Sequence, residues 1–346
     1  MSAQPVAGVD HVLDVRGVTL RFGGLTSLNN VSLTQERGEI LSVIGPNGAG
    51  KTSLFNCLTG VYTPQEGHIL FRPADGRELP VVGRKPFDVN RMGVARTFQN
   101  IRLFNALTAV ENVKIGVESH QKTGPAGAML RTPRARREDR ESDEEAFRLL
   151  EFVGLSKRAN ELSSSLPYGD QRRLEIARAM GTRPELLLLD EPAAGTNPSE
   201  KRQLEELIRK IADAGMSVLL IEHDMKLVMS VAANVVVLNF GEVIATGRPA
   251  EIQRNPKVVE AYLGGDETVI EAPAAKPAPK STSAAVTPSR AKATAKAAPR
   301  SATTKAPAKK AAPVKKAAPA KKAAPAAKAP AKKAAAKKTA PRKPKG

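Results

Sequence analysis

An α/β fold is the reading for residues 1–266, and three stretches of sequence carry it. Gly45-Pro46-Asn47-Gly48-Ala49-Gly50-Lys51-Thr52 fits the phosphate-binding pattern GxxxxGK[ST]. It lies between a short apolar run, Glu39–Ile44, which reads as a buried strand, and Ser53–Leu58, which reads as the first turns of a helix. Further on, Pro184–Glu191 holds four consecutive leucines, the pattern of a strand buried on both faces of a parallel sheet, and it closes on two carboxylates.

Strand, glycine-rich loop and helix in that order predict a P-loop NTPase core. The glycines let the chain curl so that successive backbone N–H groups point at phosphate oxygens, and the helix N-terminus that follows favours an anion. Lys51 adds a point charge for the β- and γ-phosphates, and the Thr52 hydroxyl is placed to ligate Mg²⁺. Gly45, Pro46, Asn47, Gly48, Ala49, Gly50, Lys51, Thr52 and Ser53 are therefore expected to contact the nucleotide, with ATP and Mg²⁺ as cofactors. At the end of the leucine strand Asp190 is placed to hold Mg²⁺ through water, and Glu191 to polarise an attacking water.

Charge divides the chain at about residue 266. The formal net charge is +19, and residues 267–346 carry all of it, with 21 Lys+Arg against 2 Asp+Glu. The preceding 266 residues balance at zero, so the basic pI says nothing about the folded part. They are long enough for a sizeable core. The single cysteine, Cys57, excludes an internal disulfide, and its place in the loop helix reads as a small buried apolar residue. No apolar run reaches the roughly 18 residues of a membrane span. Met1-Ser2-Ala3-Gln4-Pro5 lacks the basic-then-apolar pattern of a signal peptide, so a soluble cytoplasmic chain is expected.

Taken in order, Val12–Val15 and Val18–Phe22 alternate as half-buried strands, Gly23-Gly24 turns the chain, and Val31–Leu33 adds a third strand to a small antiparallel sheet. Phe22 is either a platform for a nucleotide base or an inward-facing strand residue. His68–Phe71 resumes a strand, and residues 73–90 read as an irregular excursion. Gln99 closes the next segment with a polar side chain. Thr108 and Glu111 form a capping-box pattern ahead of a helix. Residues 119–142 are polar and charged and read as a surface loop; Glu144–Val153 reads as an amphipathic helix ended by Gly154. After the leucine strand come a helix over Ser199–Ala214, a buried strand Val218–Ile221 ending at Glu222-His223-Asp224, and a hairpin of Val235–Leu238 with Val243–Ala245. His223 at a strand's carboxyl end stands where α/β folds bind ligands. Short helices near Pro249–Arg254 and Val258–Leu263 complete the domain.

This order resembles the nucleotide-binding domain of an ABC transporter over residues 11–265. The resemblance implies an ABC ATPase core with an antiparallel β subdomain and a helical subdomain over about 100–180. It places the adenine-stacking aromatic at Phe22, Walker A at 45–52, the Q-loop glutamine, which touches Mg²⁺, at Gln99, and Walker B at Leu186–Asp190. It makes Glu191 the catalytic glutamate and His223 the switch histidine, with Lys51 beside them. Asn197 stands at the D-loop position usually held by aspartate. The signature motif, usually Leu-Ser-Gly-Gly-Gln, is Leu166-Pro167-Tyr168-Gly169-Asp170 here. Gly169 is kept as a nucleotide contact. Pro167 offers neither hydroxyl nor N–H, Asp170 is expected to bring negative charge close to phosphate, and a helix is expected to begin near Gln171. Arg96-Thr97-Phe98-Gln99-Asn100-Ile101-Arg102-Leu103-Phe104, Arg172–Arg178, Asp190–Gly195 and Ile221–Met225 are similar to the branched-chain amino acid importers.

The resemblance further implies a second ATPase subunit docked head to tail, as a LivF-like heterodimer partner or a homodimer. It implies two transmembrane permease subunits, a periplasmic binding protein, and a position on the cytoplasmic side of the inner membrane. Relatives serving urea or amide import or lipopolysaccharide export share nearly the same motifs. A nucleic-acid-associated ATPase is the alternative from another class. From residue 267 the chain is Ala, Lys and Pro, repeating units such as Lys309-Lys310-Ala311-Ala312-Pro313, and is expected to be disordered. Three readings of this tail stand: a solvated extension, contact with anionic lipid, or contact with nucleic acid.

Overall fold

The computed structural model describes residues 10–121, 129–130 and 132–263. The chain divides into two units, Met1–Ala275 and Lys276–Gly346, and all the described residues belong to the first. The boundary expected at 266 and the lysine-rich tail lie outside the described residues.

Among the described residues, ten strands build two sheets. β1 (His11–Phe22), β2 (Leu25–Glu36), β4 (Glu66–Phe71) and β5 (Leu79–Pro80) form an antiparallel sheet in the order β2-β1-β4-β5. The two strands expected over 12–22 are one. Register shifts between Val15 and Val18 absorb the break in alternation, so the chain stays in the sheet. The second sheet takes β3 (Ile40–Ile44), β6 (Val94–Arg96), β7 (Leu186–Asp190), β8 (Ser217–Ile221), β9 (Asn234–Asn239) and β10 (Glu242–Gly247). Its order is β10-β9-β3-β8-β7-β6, parallel throughout except for the β9–β10 hairpin.

The leucine strand explains why this sheet is central. Leu186 and Leu188 join the core shared with β1, β2 and helix α1 (Lys51–Leu58). Leu187 and Leu189 point to the other face, into the core shared with α3 (Ala109–Glu118), α4 (Pro133–Phe152), α5 (Tyr168–Gly181) and α6 (Pro198–Asp213). Each fully buried leucine contributes about 1.5–3 kcal/mol of transfer free energy. Helix α7 (Met225–Val231) packs on the second core. With α8 (Pro249–Arg254) and α9 (Pro256–Leu263) it also covers a smaller cluster around Ile44, Val235 and Val237.

Three expectations are corrected. The excursion over 73–90 contains β5 and the start of α2 (Pro86–Met92), which proline opens at its first position and Gly93 closes. The loop expected over 119–142 is helical from Pro133. Thr132 caps it by accepting from the Ala135 N–H at 3.3 Å, and Arg134 pairs with Glu138 one turn on at 2.9 Å. From α3, Lys114 reaches Asp139 and Asp143 at 2.6 Å each. Apolar periodicity cannot reveal this stretch, because α4 buries only Ser142, Ala146 and Leu150. Lastly, α5 begins at Tyr168, three residues before the expected start. Among the described residues no helix is long and apolar enough to cross a membrane.

Candidate functional site

The carboxyl ends of the parallel strands bring the site together, as the fold class requires. β3 runs into the glycine-rich loop, β6 into Thr97–Gln99, β7 into Asp190-Glu191 and β8 into Glu222-His223. The loop at 45–52 is held from behind. Gly241 in the β9–β10 turn donates its N–H to the Ala49 carbonyl at 3.0 Å and accepts from the Asn29 N–H at 2.8 Å. A Cβ at Gly45 would stand 2.0 Å from the Leu238 carbonyl oxygen, so the first loop position admits glycine alone. Lys51 is buried, and its ammonium donates to the carbonyls of Gly45 at 2.6 Å and Pro46 at 3.0 Å, which fixes the charge over the loop. Thr52 is exposed at the first turn of α1. The Ser53 hydroxyl is 2.7 Å from that of Ser27 on β2, tying the helix to the antiparallel sheet.

Asp190, Glu191, Gln99 and His223 converge. Gln99 Nε2 donates to Glu191 Oε2 at 2.7 Å, and His223 Nδ1 lies 3.8 Å from the same oxygen. Glu191 holds a left-handed backbone, φ +44, with its N–H on the Ile221 carbonyl at 2.9 Å. Such a conformation in a residue other than glycine costs about 1–3 kcal/mol, and it persists where surrounding bonds impose it. Asp190 is buried, with Oδ2 accepting from Arg96 at 2.7 Å. Thr52, Gln99 and Asp190 supply hydroxyl, amide and carboxylate oxygens, the hard donor set that suits Mg²⁺.

Phe22 is 45% exposed and meets Tyr62 edge-on at 5.1 Å between ring centres. Of its two readings the inward-facing one is thereby overturned; the ring is presented to solvent.

At the start of α5 the geometry departs from expectation. Pro167 is the N-cap residue, and Gly169 lies in the first turn, buried beneath Glu200: a Cβ there would meet the Glu200 carboxyl carbon at 2.7 Å. Asp170 is paired within the chain. Its carboxylate is turned to Arg173 and, at 3.1 Å, to Arg158. Asn197 caps α6 by accepting from the N–H groups of Ser199 and Glu200 at 2.9 and 3.0 Å.

Three residues with a part in the site escape sequence reasoning. Arg96 pairs with Asp190, donates to Asn56 of α1 at 2.7 Å and lies over the rings of Phe55 and Phe98. Arg172, 1% exposed, donates to the carbonyls of Phe98 at 2.6 Å and Gln99 at 2.7 Å, and pairs with the buried Glu175 at 2.9 Å. Burial pushes the Glu175 carboxyl up, against the pull of Arg172. Glu222 is fully buried and binds backbone on two loops. Arginines read as solvated surface and glutamates as helix or loop polarity unless tertiary contacts are known.

The family model described as ABC transporter matches residues 28–194. The ATP-binding proteins LivG of Escherichia coli strain K12 and BraF of Pseudomonas aeruginosa, both described as serving high-affinity branched-chain amino acid transport, are each 50% identical over 254 residues, which is 73% of this chain and 98% of theirs. The chain belongs to the ABC transporter ATP-binding family. This cassette also matches, over residues 242–268, the model described as branched-chain amino acid ATP-binding cassette transporter. The solved ATP-binding cassette MJ1267 in its ADP conformation superposes with a TM-score of 0.63 at 29% identity, covering 74% of this chain and 99% of that one. As a member of the family the cassette binds and hydrolyses ATP, in agreement with the reading of its phosphate-binding loop.

Proposed function

We propose that this cassette drives import of branched-chain amino acids, hydrolysing ATP on the cytoplasmic side of a bacterial inner membrane. The observation that carries the cargo is 50% identity to LivG and BraF along almost their whole length, reinforced by the match over residues 242–268. A single chain holds one phosphate-binding loop and one signature region. Hydrolysis therefore takes a second ATPase subunit head to tail, of the LivF type or another copy, working on two permeases that receive cargo from a periplasmic binding protein.

In this reading Phe22 stacks on the adenine, and the backbone of residues 45–53 cradles the phosphates, with Lys51 facing the β- and γ-phosphates. Thr52, Asp190 and Gln99 would hold Mg²⁺, which would supply neutralisation of phosphate charge. Glu191 accepts a proton from the water that attacks the γ-phosphate, Gln99 holds Glu191 in place, and His223 and Lys51 stabilise charge on the transferring group. Across the dimer the N-terminus of α5 would face the second nucleotide, with Gly169, buried under Glu200, contributing backbone alone.

Glu191→Gln is expected to leave ATP binding intact and cut turnover of the assembled transporter about 10³-fold, the scale of a lost general base. Steady-state hydrolysis beside equilibrium ATP binding checks it, and wild-type turnover in the variant would refute the assignment. ATP-dependent uptake of radiolabelled leucine, isoleucine and valine by the reconstituted transporter with its binding protein tests the cargo. Transport of urea or an amide instead would move the cassette to another importer group.

A further inference from the structure

We propose that Glu222 is a positioning residue for ATP hydrolysis: its buried carboxylate joins the turn that carries Glu191 to the turn that carries His223. One oxygen, Oε1, accepts from the Ala193 N–H at 2.7 Å, two residues beyond Glu191. The other, Oε2, accepts from the N–H groups of His223 at 3.2 Å and Asp224 at 3.4 Å, and lies 3.9 Å from His223 Nδ1. No part of Glu222 is exposed to solvent.

The chemistry of these bonds selects a carboxylate. All three partners are N–H donors, and they approach from two loops on opposite sides. A carboxylate accepts at both ends, whereas glutamine accepts at one and donates at the other. Burying an ionised group is costly unless its hydrogen bonds are complete, and here they are completed by the two loops the reaction uses. Burial pushes the Glu222 carboxyl above its ordinary value, and the amide bonds oppose that shift. Beyond His223, Asp224 is held by Lys201 from α6 at 2.7 Å, which leaves Glu222 with the backbone as its partner on both sides. A displacement of one loop is thereby transmitted to the other, so Glu191 and His223 keep a fixed separation around the γ-phosphate.

The inference rests on the roles of Glu191 and His223 proposed above, and the test separates the two. In the full-length chain assembled with its transporter, Glu222→Gln is expected to lower kcat about 10²-fold, the scale of a small misplacement of catalytic groups, with little change in KM for ATP. In a His223→Ala background the same change should cost far less, because the group it positions is gone. Amide hydrogen exchange should quicken together at Ala193, Ala194 and residues 223–225 while Gly45 and residues 47–52 stay as in wild type. Equal losses of kcat in both backgrounds, or wild-type kcat with a lowered Tm, would reduce Glu222 to a structural staple and overturn the proposal. If Glu222→Gln does not fold, Glu222→Asp keeps both acceptors on a shorter arm and carries the same comparison. A Glu191→Gln chain that hydrolyses normally overturns the site assignment and this inference with it; loss of turnover there beside normal Glu222→Gln kinetics overturns this inference alone.

Discussion

At the carboxyl edge of the parallel sheet, polar side chains join separate strands and turns: Gln99 bonds to the Glu191 side chain, Arg96 to the Asp190 side chain, and Glu222 to the backbone of two turns at once. At the start of α5 they are turned back into the protein. Asp170 goes to Arg158 and Arg173, Arg172 to the carbonyls of Phe98 and Gln99, and Gly169 lies under Glu200. The difference teaches where each region keeps its chemistry. In the proposed mechanism the sheet edge acts through side chains, so its residue types are demanding. The α5 start can act through backbone at a helix N-terminus, which explains how Pro167 and Asp170 stand where the family motif has serine and glutamine without placing unpaired charge in the site.

If that contrast holds, the largest effect belongs to the sheet edge, where Glu191→Gln stops turnover without affecting binding. Next is Arg172→Ala, which strands the buried Glu175 and frees the segment at Gln99. Breaking such a pair costs about 3–5 kcal/mol, read by denaturant unfolding. A loss below 1 kcal/mol would mean that α5 does not anchor the glutamine loop. Gly169→Ala places a methyl against Glu200 and is expected to cost about 1–3 kcal/mol. Adding Glu200→Ala should return part of that loss, and its failure to do so would locate the strain elsewhere. The smallest effect is expected at Asp224. Burial works against its ionised form, but hydrogen bonds from Lys201 and the start of α7 outweigh it and hold its carboxyl below the ordinary 3.8. A lowered folded-state value gives stability that is present above pH ~4 and lost as the group protonates below it. Asp224→Asn should therefore cost about 1 kcal/mol at pH 7. The gap to wild type should narrow as pH falls below ~4 in parallel unfolding titrations.

Much of this was legible in the chain because local patterns and tertiary roles coincide. Four leucines in a row need two apolar faces, and β7 has both; the glycine loop needs a strand before it and a helix after it, and both are present. Legibility failed where stability comes from charge. The first turns of α4 have almost no buried face and hold together through Thr132, Glu138 and the reach of Lys114. The pairing of Asp170 was hidden for the same reason, since its partners Arg158 and Arg173 are fixed by the fold and by one helical turn respectively. Phe22 stood between two readings because alternation along a strand does not say which face meets solvent when the strand is bulged.

The contact between Gly45 and the Leu238 carbonyl has a consequence for how this protein can vary. A side chain at position 45 would have to displace β9, and β9 through its turn holds Ala49 and Asn29. Substitutions in the hairpin and in the phosphate-binding loop are therefore not independent: a change that shifts the strand by a few tenths of an ångström alters the cradle without touching a nucleotide-facing residue. Drift in sequence along residues 234–247 should be confined to side chains that leave the backbone where it is, and ATP affinity is the trait through which departures would be felt.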